Sequence, residues 1–234
     1  MLKPPFANNE IYHIYNRGVE KRTIFLKGRD YQRFLDGIYL FNTPMPVRLD
    51  QREDIEAEIN ENNKNPLVEV LSFCLMPNHF HLLLRQRKEN GIPLFMQKLC
   101  TGYTMYFNKV NDRVGSLFQN KFKAVRIVTD EHLFCIPHYI HLNPLEIMGI
   151  NINKKTDIDS VVKRLENYPW SSLSDFMGQS RHLGIAGSVF VKEFFQDHIG
   201  YRGKLIEWIK DMRTEDMSEV GLDYDTNLTR SDLT

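Results

Sequence analysis

The chain has 234 residues, 42% of them hydrophobic, and its 30 lysines and arginines balance 30 aspartates and glutamates. That is enough for one domain of roughly 170 residues with additions, or for two small ones. No apolar run reaches the roughly 18 residues of a membrane span, the first residues carry no apolar leader, and a net charge of zero gives no global argument for a nucleic-acid partner. Cys74, Cys100 and Cys135 sit in apolar contexts at unrelated spacings, so a reduced, cytoplasmic protein is expected and a zinc site is not. Charge is nonetheless uneven. Residues 50–61 and the tail from Glu215 are acidic, whereas Arg17, Lys21 and Arg22 form one basic cluster, and Arg113 to Arg126 is basic and free of acid. Such local patches can contact phosphates even when the total cancels.

In chain order, Ile11–Tyr15 reads as a strand ended by Asn16-Arg17-Gly18. Phe34, Leu35 and Ile38 fall at helical spacing after Asp30, which predicts a helix to Phe41 with Asp30 as cap. Residues 43–66 are acidic and Pro-bounded, and are expected as a surface insertion carrying no chemistry. Leu67–Leu75 and Phe80–Arg85 predict two strands joined by Met76-Pro77-Asn78, a connection short enough to require a hairpin. Pro93 opens a helix to about Asn108, with an apolar stripe that includes Tyr103 and Tyr106. A fourth strand is expected from Phe122 to Val128. Asp130–Pro144 predicts a helix, delayed or kinked at Pro137. Residues 158–165 form an amphipathic helix, Tyr168–Ser172 an aromatic loop, and residues 187–209 one or two helices of a small appendage before a flexible acidic tail.

The order strand, helix, strand, strand, helix, strand is the split βαβ pattern of a ferredoxin-like α+β domain: an antiparallel sheet with helices on one face. The other face is then available to the Asp130–Pro144 helix. A domain over residues 1–177 with a C-terminal helical extension over 178–234 is expected.

Chemistry concentrates in two stretches. His79 and His81 are two apart on a predicted strand, so both imidazoles project from one face with Phe80 on the other. That is half of a metal site. Tyr139 and Asn143, four apart on a helix, also share a face. A tyrosine oxygen can act as a nucleophile, and an amide oxygen can ligate a hard cation. On local sequence alone, a core tyrosine and a capping asparagine account for this second pair more simply.

Met76-Pro77-Asn78-His79-Phe80-His81-Leu82-Leu83-Leu84 resembles the paired-histidine (HUH) motif of single-tyrosine endonucleases. Tyr139-Ile140-His141-Leu142-Asn143-Pro144 resembles the nucleophile helix of the REP-associated tyrosine transposases. Three further blocks in register extend the likeness over residues 10–176: Tyr12 to Gly18, Gly115 to Lys123, and Tyr168-Pro169-Trp170-Ser171-Ser172. The resemblance implies a transposase with Tyr139 as catalytic nucleophile, forming a 5′-phosphotyrosine, and with His79, His81 and Asn143 holding Mg2+ or Mn2+. It implies a substrate of single-stranded DNA with a REP-type hairpin, handled by a monomer or a homodimer. Asn16, Arg17, Lys21, Arg22, Gln119, Lys121, Lys123, Arg126 and Trp170 are the candidate DNA contacts, with a packing role for Trp170 equally open. Tyr103 and Tyr106 are rival nucleophiles, His141 a lesser candidate ligand or base, and His138 is expected to face solvent or the DNA side. The rival functions are a non-cleaving binder of DNA hairpins and a metal-binding module with no DNA role.

Overall fold

The computed structural model describes residues 6–47, 65–153, 155–179, 181–182, 194–195 and 198–211. Four strands, β1 (Ile11–Arg17), β2 (Val68–Met76), β3 (His79–Gln86) and β4 (Lys123–Ile127), form one sheet in the order β2-β3-β1-β4. Every neighbouring pair is antiparallel. The chain therefore has the α+β, ferredoxin-like architecture expected from its element order, and β1 lies inside the sheet between β3 and β4.

Strand alternation divides β3 between two cores. Phe80, Leu82 and Leu84 join Tyr12 and Ile14 of β1 in the first. They are covered by α1 (Gly28–Leu40) and α2 (Gly91–Val110), through Phe34, Ile38, Phe95, Leu99 and Tyr103. The two helices cross closely at Gly102, where a Cβ would lie 2.4 Å from the Phe41 ring. Leu83 belongs to the second core with Leu71 and Cys74. Helix α3 (Asp130–Leu142) covers this face, followed by α4 (Pro144–Ile147), α5 (Ile158–Glu166), α6 (Leu173–Phe176) and α7 (His198–Asp211).

Two boundaries differ from the sequence reading. Asp30 sits inside α1, where its carboxylate accepts the Leu26 and Lys27 amides at 2.9 Å each. Thr129, one residue before Asp130, caps α3 by accepting the His132 amide at 3.2 Å. Helix α3 runs through Pro137. The C-terminal helix is more than an appendage, since Tyr201, Leu205 and Ile209 of α7 are fully buried in the second core. Most of the acidic insertion, the segment around Val189 and the tail beyond Asp211 lie outside the described residues. No helix among the described residues is long and apolar enough to cross a membrane.

Two contacts fix the parts that matter for the site. The β2–β3 turn is tied to the exit of β1. Gly18 N donates to Asn78 O at 2.8 Å, and the Ile24 and Phe25 amides donate to Pro77 O at 2.7 and 3.0 Å. The outer edge of β2 is closed by the loop before α6. There Leu75 N donates to Trp170 O at 2.8 Å, Ser172 N to Phe73 O at 3.0 Å, and Phe73 N to Ser172 Oγ at 2.9 Å.

Candidate active site

Register brings the chemistry-bearing residues of β1, β3 and β4 onto the face that α3 covers. Tyr15 pairs with His81 and Arg17 with His79 across β1 and β3, and Lys123 pairs with Tyr15 across β1 and β4. Directly opposed residues share a sheet face. The alternation of β1 puts His13, Tyr15 and Arg17 on that face together. The rings form a cluster. His13 lies nearly parallel to His81 (16°), edge to edge with centroids 5.1 Å apart, Tyr15 stacks on both His13 and His81 at 5.2 and 5.8 Å, and His79 stands edge-on to His81 at 5.0 Å. Lys123 Nζ lies 5.5 Å from the centre of the Tyr15 ring.

Helix α3 adds Tyr139 from above. Its ring is nearly perpendicular to His81 (88°, 5.6 Å) and to His13 (80°, 5.9 Å), and the residue is only 5% exposed. The helix delivers it here because Ile136 and Ile140, on the same buried side, pack into the second core.

Each paired histidine has one ring nitrogen already engaged. His79 Nδ1 is 2.6 Å from Asn78 Oδ1, an acceptor, so this nitrogen carries the proton. His81 Nδ1 is 2.9 Å from His13 Nε2. In His81 Nε2 is the nitrogen left to meet a ligand. One nitrogen fixed by an outer hydrogen bond is how metal-ligating imidazoles are ordinarily held. Burial, followed by the charges of His79, His13 and Arg17, holds the His81 pKa well below the ordinary histidine value. Burial, with a smaller contribution from His132, pushes His13 down to about 3. His13 and His81 are therefore neutral at pH 7, as a ligating imidazole must be.

Among the described residues no group of three or more histidine, cysteine or acidic side chains could hold a metal ion. A third protein donor would thus be an amide such as Asn143. That residue ends α3, and its Nδ2 donates to Tyr139 O at 2.9 Å and Ile140 O at 3.4 Å. Its Oδ1 is the atom with ligand character. Two imidazoles and an amide oxygen suit a divalent cation of borderline hardness.

The other sequence candidates separate into groups. Arg17 lies on the same sheet face as the rings, its Nε buried without a hydrogen-bond partner among the described residues, and exposed Gln119 is joined to it through Gln119 N and Arg17 O at 2.9 Å. Lys21 is exposed in the tight turn after β1, and Arg22 lies 3.8 Å from Glu20. Three candidates instead hold structure away from the rings. Asn16 is 8% exposed and donates to Asn120 O at 3.1 Å. Arg126 forms an ion pair with Glu10 at 2.9 Å. Trp170 stacks on Tyr31, with centroids 4.7 Å apart and planes 14° apart. Lys121 lines a groove of about 720 Å³ with Asn16, Phe118 and Phe122.

The rival tyrosines are on α2, across the sheet. Tyr103 Oη donates to Ile24 O at 2.5 Å and Tyr106 Oη to Asp30 Oδ1 at 2.8 Å. Burial raises the pKa of both phenols, and the Asp30 bond adds to the rise at Tyr106. His138 is buried, not solvent-facing: it stacks on Tyr201 with centroids 4.4 Å apart, and its Nδ1 donates to Phe134 O at 2.8 Å. His141 is bridged to Ser172 Oγ at 2.7 Å and Tyr201 Oη at 2.6 Å. Both histidines fasten α3 to its supports. Sequence reasoning missed His13 and Tyr15 as members of the site. Their spacing from Arg17 and the ferredoxin-like strand order, which sets β1 beside β3, were the available signal.

Residues 47–143 match the family model described as "Transposase IS200 like". No curated protein matches the chain. Among solved structures, a REP-associated tyrosine transposase bound to a REP hairpin superposes with a TM-score of 0.50 at 13% identity, covering 81% of this chain and 92% of that one. At that identity the likeness concerns the fold.

Proposed function

We propose that this chain, whose residues 47–143 match the IS200-like transposase family model, cuts and rejoins single-stranded DNA with Tyr139 as nucleophile. The observation that carries the reading is the meeting of Tyr139 with His81 and His13 on one face of the sheet, beside His79, Arg17 and Lys123. A nucleophile, two candidate metal ligands and two cationic side chains on one sheet face are the components that phosphoryl transfer requires.

In this reading His79, His81 and Asn143 Oδ1 hold a divalent cation, magnesium or manganese. When bound, the cation supplies Lewis-acid polarisation of the scissile phosphate and offsets charge on its oxygens. Tyr139 Oη attacks phosphorus and the P–O3′ bond breaks. The phosphate stays joined through its 5′ oxygen to the downstream strand and through the new bond to Tyr139. The phenol proton leaves to solvent, and the departing 3′ oxygen takes one up to become a hydroxyl. Attack by a second 3′-hydroxyl reverses these changes and joins strands without a nucleotide cofactor. Arg17 and Lys123 orient the strand by its phosphates, and Tyr15 offers a face on which a base can stack. The substrate class is a single strand carrying a REP-type hairpin, in line with the ligand of the solved relative.

The test incubates the purified chain with a labelled hairpin oligonucleotide and Mn2+, then resolves the products on a denaturing gel. A band retarded by one protein mass, absent from Tyr139→Phe, is expected. Hairpin binding with no adduct, across several hairpins and both metals, would replace this reading with that of a non-cleaving hairpin binder.

A further inference from the structure

We infer that His13 is a positioning residue that holds His81 in its metal-ligating form by accepting the proton of His81 Nδ1. The inference deepens the metal reading of the site and rests on it.

His13 belongs to β1, a strand that contributes neither the paired histidines nor the tyrosine. It is 1% exposed, and its Nε2 meets His81 Nδ1 at 2.9 Å. The rings lie within 16° of parallel. A neutral imidazole has one donor nitrogen and one acceptor nitrogen. For His81 Nε2 to present a lone pair to a cation, His81 Nδ1 must carry the proton and His13 Nε2 must accept it. In the opposite arrangement His13 donates, His81 carries its proton on Nε2, and the ligand position is blocked. The choice made between these two buried rings therefore decides whether the second histidine of the pair can bind metal.

The remaining nitrogen of His13 argues for a functional use. Among the described residues His13 Nδ1 is buried with no hydrogen-bond partner. A buried polar atom left unpaired is a cost that an apolar residue at the same place would avoid. His13 also faces Tyr139 edge-on at 5.9 Å, so the ring that would orient His81 contacts the nucleophile ring as well. The paired histidines are treated differently by their surroundings: His79 is oriented by Asn78 in its own turn, His81 by a residue 68 positions away.

Manganese titration of the full chain, followed by the electron paramagnetic resonance signal of free Mn2+, tests this. His13→Leu removes the acceptor at similar volume, and His13→Gln returns an amide oxygen to about the position of Nε2. His13→Asn is polar but too short to reach it. We expect Mn2+ affinity to fall about 10- to 100-fold in His13→Leu and His13→Asn, the range found when an outer partner of a ligating histidine is lost. His13→Gln should stay within a few-fold of the parent chain. Should His13→Leu fail to fold, the contrast between Gln and Asn carries the same information. Parent-like affinity in Leu or Asn, or an equal loss in Gln, would overturn the inference. Mn2+ binding that vanishes in His81→Ala yet survives His13 substitution would sink this inference alone. A parent chain that binds no Mn2+ would sink the metal reading and the inference with it.

Discussion

Tyr139 stands at 88° to the plane of His81, with 5.6 Å between ring centres. The two residues come from different layers, one from α3 and one from β3, and only the packing of the second core brings them together. Replacing Tyr139 by Phe keeps the ring and removes the oxygen. Covalent protein–DNA adducts should disappear, hairpin affinity should stay within a few-fold, and stability should change by no more than about 1 kcal/mol. Gel analysis and a thermal melt read both. Adducts that persist would transfer the role to another side chain, although Tyr103 and Tyr106 are across the sheet with their hydroxyls already donating to Ile24 O and Asp30.

His79→Ala should reduce metal-dependent cleavage by more than about 100-fold, a larger loss than an outer-sphere partner causes. Cleavage rates measured over a range of Mn2+ concentrations check this. Undiminished cleavage at low metal would remove His79 from the ligand set.

Acid should destabilise the second core. Burial holds His138 at about 4 and His141 well below the ordinary 6.5. In the unfolded chain both would take up protons near 6.5, so between roughly pH 6.5 and 4 the unfolded state binds more protons than the folded one. Their contribution is complete above pH 6.5 and is lost as the pH falls, at up to about 1.4 kcal/mol per pH unit for each histidine. Thermal melts at pH 7.5 and 5 should show a marked drop in Tm at the lower value. An unchanged Tm would mean that these rings are charged or accessible in the folded chain.

Tyr201→Phe should cost about 1–3 kcal/mol by leaving His141 Nδ1 without its partner in a fully buried position. Because α7 supports α3 at this point, cleavage should fall as well, and Tyr201→Phe should lose activity at a lower temperature than the parent chain. A denaturant titration and a temperature series of cleavage assays separate the two effects.

Gly18→Ala should destabilise the turn that follows β1. Its Cβ would lie 2.3 Å from Arg22 O and 2.8 Å from Ile24 Cγ2, too close without backbone movement. The same glycine donates to Asn78 O, so the strain would reach the residue that orients His79. A loss of about 1–3 kcal/mol is expected from overpacking, read as a lower denaturation midpoint. An unchanged midpoint would show that the turn relaxes freely.

Much of this architecture was legible because strands and helices announce themselves by period. His79, Phe80 and His81 alternate as a strand must, and the short Met76-Pro77-Asn78 link could only make a hairpin. Tyr139 was harder, because a buried tyrosine on an apolar helix is ordinarily packing, and it stood out through the family resemblance. His13 escaped notice because its significance depends on register: only the offset that sets Tyr15 opposite His81 brings His13 against the same ring. His138 and His141 were misleading for a related reason. Their partner Tyr201 comes from about 60 residues further on, and no local pattern links them. Arg126 and Asn16 looked like free polar groups until the fold supplied Glu10 and Asn120.

The loop at Trp170–Ser172 that closes β2 also gives the sheet a direction of growth. With Leu75 and Phe73 already bonded to that loop, β4 is the sheet end without a further named strand among the described residues. An incoming extended chain would meet only that border, where exposed Lys123 and Arg126 stand along a five-residue strand. Short length and charge at a border both discourage fibril-like stacking, so the loop and the cations together guard the protein against self-templating at either end of its sheet.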